Sequence, residues 1–140
     1  MYQHVLIPTD GSEGDARAIE HGVGLADAVG ATVHALTVNQ GAGAMQRDRL
    51  RSDPEAEAAA AIERVERVAD DAGVPVTTAV REGTDPADEI LAHARDQQAD
   101  LIVMGTSDPS GIDRLFDESV AESVLEDTTV PVLTVTELEG

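Results

Sequence analysis

Apolar residues along the chain fall into two alternating rhythms. Short apolar runs at Tyr2–Pro8, Ala31–Val38, Val76–Val80, Leu101–Met104 and Val130–Thr136 read as strands. Their centres, such as Val5-Leu6-Ile7 and Leu101-Ile102-Val103-Met104, are apolar at successive positions, which suits a sheet covered on both faces. Between them apolar residues recur at helical spacing. Ile19, Val23, Ala26 and Val29 mark one stripe, Ala58, Ile62, Val65 and Val68 a second, and Ile90, Leu91 and Ala94 a third. A fourth helix is expected from about Arg114 to Glu126.

Punctuation supports these limits. Ser12 is placed as an N-cap with Asp15 at the reciprocal position, opening a helix to about Val29, and Gly30 fits its C-cap. Residues 39–53 read as a loop, Pro54 suits a helix start, and that helix runs to Asp71 with Gly73 ending it. Gly83-Thr84-Asp85-Pro86 is a turn and a helix cap.

Strands alternating with helices predict an α/β fold: a single-domain, Rossmann-like three-layer sandwich on a parallel sheet. Right-handed crossovers give five strands in the order 3-2-1-4-5. The direction of winding reverses between strands one and four, and ligands in such sheets bind beyond the carboxyl ends of the strands at that crevice. Pro8-Thr9-Asp10-Gly11 and Met104-Gly105-Thr106 end those two strands, so periodicity alone puts them in one site.

Composition narrows the chemistry. The 140 residues suffice for one core, and one domain over 1–140 is expected. With no cysteine, disulfides, thiolate metal sites and a cysteine nucleophile are excluded. No apolar run approaches the roughly 20 residues that span a bilayer, and no signal segment precedes the first strand, so a cytoplasmic location is expected. Twenty-eight acids oppose nine basic residues, all arginine, for a net charge of −19. That balance repels nucleic acid. Its spread over every segment, with no lysine and two aromatics (Tyr2, Phe116), points to a halophile's protein adapted to molar salt.

Catalytic signatures are absent. There is no G-x-S-x-G elbow, and a Walker loop needs a lysine. His4, His21, His34 and His93 lack metal-ligand spacing and are assigned surface or strand-end roles. Asp108, Asp113, Asp117 and Glu118 read as a solvated acidic surface rather than a cation site. No catalytic residue and no metal is expected.

The segments IPTDGS (7–12), DLIVMGT (100–106), SGIDRL (110–115), SVAESVL (119–125) and PVLTV (131–135) together resemble the universal stress protein family. In its nucleotide-binding branch, the loop after the fourth strand reads G-x-x-G, nine residues, then G-S or G-T. The resemblance implies nucleotide contacts at Pro8, Thr9, Asp10, Val38, Met104, Gly105, Ser119 and Val120, with the residue matching Asp10 on the ribose and that matching Val38 against adenine. Asp10 equally suits a helix cap or an Asx-turn, Val38 and Met104 the core, and Ser119 a bond to its own helical turn.

Gly105 and Ser119 keep the loop pattern, whereas Asp108 and Glu118 stand at its other two glycine positions. At about 6 Å and an effective dielectric near 20, one carboxylate–phosphate repulsion is about 2–3 kcal/mol. The implied protein is therefore a dimeric interaction module with an unnamed protein partner, a degenerate nucleotide site and no cofactor. The alternative is an ATP- or AMP-binding member using Mg²⁺, with slow hydrolysis. Arg47, Arg49 and Arg51, on the loop after strand two, read first as a solvated loop pairing with surface acids, with folding over a phosphate at the same edge as the alternative. Relatives pair through the last strand, which implies a homodimer on Val132, Leu133, Thr134 and Val135.

Overall fold

The computed structural model describes residues 2–11, 15–39, 54–106 and 118–136. Its strands are β1 (His4–Pro8), β2 (Thr32–Asn39), β3 (Val76–Glu82), β4 (Leu101–Thr106) and β5 (Val132–Thr136). Its helices are α1 (Ala16–Val29), α2 (Pro54–Ala72), α3 (Pro86–Asp96) and α4 (Glu118–Asp127). All ladders are parallel, in the order β3-β2-β1-β4-β5. The order expected from the crossover rule is the observed one.

Alternation along each strand divides the core in two. Val5 and Ile7, with Val33, Ala35, Leu101, Val103 and Val135, face α1 and α2 and meet Ile19, Val23, Ala26, Ile62, Val65 and Ala69. Leu6, Leu36, Val38, Ile102 and Met104 face the other way and meet Ala87, Ile90, Ala94, Val120, Ala121 and Val124 of α3 and α4. A Cβ on Gly22 would lie 2.6 Å from Ile7 Cδ1, so the glycine lets α1 sit close on β1. No helix of the described residues is long and apolar enough to cross a membrane.

Several details differ from expectation. The Asp15 side chain makes no cap bond on α1, and Ser12 lies outside the described residues. Val29, expected in the buried stripe, is 43% exposed. It occupies the last position of α1, where Gly30 adopts φ 76° and turns the chain toward β2. The cap of α3 is as expected: Asp85 accepts from Ala87 N and Asp88 N, with Pro86 in the first turn. Strand β5 starts two residues late, because the Thr128 hydroxyl accepts the Val130 N–H and donates to its carbonyl, holding a turn there. The expected final helix is described from Glu118 onward, its first residues 114–117 lying outside the described set.

Candidate functional site

At the carboxyl end of β1, beside that of β4, the chain forms a tightly bonded turn. Thr9 is fully buried, and its N–H donates to the Leu36 carbonyl at 2.8 Å, fixing the end of β1 against β2. Its hydroxyl donates to Asp15 Oδ2 at 2.9 Å and accepts the Gly11 N–H at 3.1 Å. The Asp10 N–H donates to the same Asp15 oxygen at 2.9 Å. Gly11 has φ 81°, and a Cβ there would lie 3.3 Å from Ala61 Cβ on α2. A left-handed turn against a neighbouring helix requires glycine.

Asp15 carries a role that sequence reasoning does not assign, while its expected partner Ser12 lies outside the described residues. Expected to complete a capping box with Ser12, it is 1% exposed and its carboxylate fastens the turn at the end of β1. A buried carboxylate persists only when hydrogen-bonded, and the Thr9 hydroxyl and Asp10 N–H are among its partners. The only signal in the sequence is an acid among small residues just before the helical stripe.

Most other predicted positions converge. Pro8 is buried at the end of β1, and Asp10 is half-buried. Val38, Met104 and Val120 belong to the same buried cluster on the α3–α4 side, so their core role holds. Gly105 is buried and pairs with Val135 in the β4–β5 ladder. Ser119 is exposed in the first turn of α4, beside Val120. Asp108, the side chain of Glu118, the arginines at 47, 49 and 51, and Asp113 and Asp117 lie outside the described residues. In the first turn of α1, the buried Nε of Arg17 has no hydrogen-bond partner among the described residues.

The four candidate interface residues are unequally placed. Leu133 and Thr134 are exposed, Val132 is half-buried, and Val135 lies in the core against the α1 side. Two histidines depart from their assigned surface or strand-end roles. His34 is 4% and His93 is 7% exposed. In His34, burial is the main cause that pushes the imidazole below its ordinary pKa, followed by the nearby His4 and His93, with Asp100 opposing. In His93 burial comes first and Arg81 second, with Asp96 opposing. The signal for His34 is its place between the apolar Val33 and Ala35-Leu36 in β2. Among the described residues no group of three His, Asp or Glu side chains is arranged to hold a metal ion.

This geometry has close counterparts. A family model described as the universal stress protein family matches residues 1–136. A universal stress protein of Methanocaldococcus jannaschii is 34% identical over 145 residues, covering 96% of this chain and 82% of the relative. Among solved structures, a universal stress protein in complex with cAMP superposes with a TM-score of 0.71 at 26% identity, covering 96% of this chain and 97% of that one. The universal stress protein of Archaeoglobus fulgidus in complex with dAMP gives a TM-score of 0.73 at 21% identity, over 95% and 97%. The sheet order, the convergence of the β1 and β4 motifs and the near full-length match of the family model lead to one assignment: this chain belongs to the universal stress protein family.

Proposed function

We propose that the chain is a regulatory binding module of the stress-protein type, working as a homodimer with a protein partner, and that its crevice does not hold ATP tightly. The observation that carries this reading is the Asp15 carboxylate. It takes up the Thr9 hydroxyl and the Asp10 N–H, so two donors on the β1 side of the crevice are already engaged by an acid. Asp108 and Glu118 add bulk and negative charge at two positions where nucleotide-binding relatives have glycine. The acid excess without lysine supports a cytoplasm at molar salt as the working environment.

A mononucleotide is the second reading. The apolar cluster of Val38, Met104 and Val120 supplies a floor for a base, and the relatives with cAMP and dAMP bind ligands carrying a single phosphate. Arg17 supplies a cation two residues beyond Asp15.

Calorimetry in about 1 M KCl tests both. MgATP is expected to bind no tighter than roughly 100 μM, and Asp108→Gly with Glu118→Gly to gain at least about tenfold, near 1.4 kcal/mol. Micromolar ATP affinity overturns the main reading. Micromolar AMP affinity with weak ATP puts the mononucleotide in its place.

A further inference from the structure

At the amino end of the sheet, opposite the crevice, a hydrogen-bonded chain crosses three adjacent strands. His4 opens β1 and is half-buried, His34 is buried in β2, and Thr77 lies on β3 directly beside His34 in the ladder. His4 Nδ1 lies 2.9 Å from His34 Nε2, and His34 Nδ1 lies 2.8 Å from Thr77 Oγ1. The two rings are tilted by 43°, with centroids 5.1 Å apart.

An imidazole–imidazole bond needs one N–H and one lone pair. Two neutral rings meet that need in either direction, since the threonine hydroxyl can donate or accept. A first added proton is also tolerated on His4. Its Nδ1–H then donates to His34 Nε2, while His34 Nδ1–H donates to Thr77. A second proton has only His34 Nε2 to go to, which is the lone pair that closes the bond. Two cations would then face each other without it.

We propose that His4 and His34 form a one-proton pair, in which protonation of His34 is an acid-triggered release of the seam joining β1, β2 and β3 at the amino end of the sheet.

The Asp100 carboxylate accepts the Gln3 and His4 N–H groups at 2.9 and 3.1 Å, placing a negative charge beside the pair. From α3 the buried His93 faces the pair, its Nδ1 3.4 Å from Arg81 Nη1, where the guanidinium donates and a neutral imidazole accepts. Arg81 is itself held by Glu89 at 2.8 Å and Asp96 at 3.2 Å. Protonating His93 would set it against that guanidinium. Asp100 is the carboxylate of the described residues that acts on His34.

The linkage follows from burial. His34 stays neutral in the folded chain below the ordinary value of 6.5, while the unfolded chain takes up a proton there. Stability from this group is complete above pH 6.5 and is lost as pH falls below it toward the folded value.

Chemical denaturation in about 1 M KCl between about pH 7.5 and 5 tests the pair. One histidine kept neutral by folding raises the unfolding constant by up to about tenfold per pH unit in this window. His34→Gln is expected to remove up to that tenfold dependence relative to wild type. His93→Gln leaves the His34 contribution in place. Equal slopes for wild type and His34→Gln overturn the proposal. Long-range ¹H–¹⁵N spectra of the wild-type rings give a second measurement that needs no variant to fold. They should show His34 keeping a bonded, unprotonated nitrogen down to about pH 5. Two cationic rings in the folded protein at about pH 5 overturn it equally.

Discussion

Asp15 shows how one buried group settles a local structure. Replacing it with alanine removes the acceptor of the Thr9 hydroxyl and of the Asp10 N–H while leaving both donors in place. Each buried donor left unpaired costs about 1–3 kcal/mol, so Asp15→Ala should lose roughly 2–6 kcal/mol of unfolding free energy. Asp15→Asn keeps an acceptor oxygen and should lose less. Urea melts in molar KCl read both values. A loss below about 0.5 kcal/mol for alanine, the usual range for a surface change, would show that the carboxylate does not hold the turn. Such a carboxylate is hard to read from sequence, because an acid before a helix suits a cap equally well. What decides between cap and anchor is the distance to Thr9, six residues earlier, and that distance exists only once β1 and α1 are packed. His34 is hidden for a related reason. Its partners, His4 and Thr77, lie 30 and 43 residues away in sequence.

At the level of elements, more is legible. Strands covered on both faces must be apolar at successive positions, so β1, β2 and β4 announce themselves, and the crossover rule then leaves the observed order. The convergence of Pro8, Thr9 and Asp10 with Met104 and Gly105 follows from that order. Ends of elements are less legible, as Val29 and the late start of β5 show, because they depend on where a turn takes the chain off the sheet. The same ladder defines the assembly prediction. β5 is the last strand of the described sheet, pairing with β4 alone among the described residues, with Leu133 39% exposed. An apolar open edge invites pairing, and a two-fold contact closes it. Light scattering in molar salt should give twice the 14.6 kDa of one chain. Val135 is a poor probe of this contact, because its burial against α1 means that a charge there would unfold the chain. Leu133→Asp and Thr134→Pro act on the exposed side and on the ladder. Either should yield monomers with an intact circular dichroism spectrum, whereas a retained dimer in both would move the interface off β5.

For the molecule as a whole, charge is what the fold leaves uncompensated. Nine arginines cannot pair with twenty-eight acids. One described ion pair, Arg67–Glu63, is exposed at both ends, the kind that contributes at most about 1 kcal/mol. Arg81 concentrates two carboxylates, Glu89 and Asp96, on a single cation. The remaining acids repel one another over a Debye length of about 10 Å at 0.1 M salt, and over only about 3 Å at 1 M. The core offers modest compensation, since many of its buried positions are alanines, including Ala18, Ala26, Ala35, Ala61, Ala69, Ala94 and Ala121. Stability should therefore climb with KCl through screening alone. It should climb further in potassium sulfate, which also strengthens apolar burial by exclusion from the surface. A gain of about 3 kcal/mol between 0.1 and 2 M KCl corresponds to a rise in Tm of roughly 10 °C for a chain of this size. Two controls separate the causes. If screening dominates, an uncharged osmolyte such as sucrose should not substitute for KCl at equal osmolality, and lowering the pH toward 5 at low salt should stabilise by neutralising acids, against the opposite trend expected of His34. A Tm unchanged between low and molar KCl would show that the acid excess is no adaptation to salt, and would turn attention to a basic partner as the reason for it.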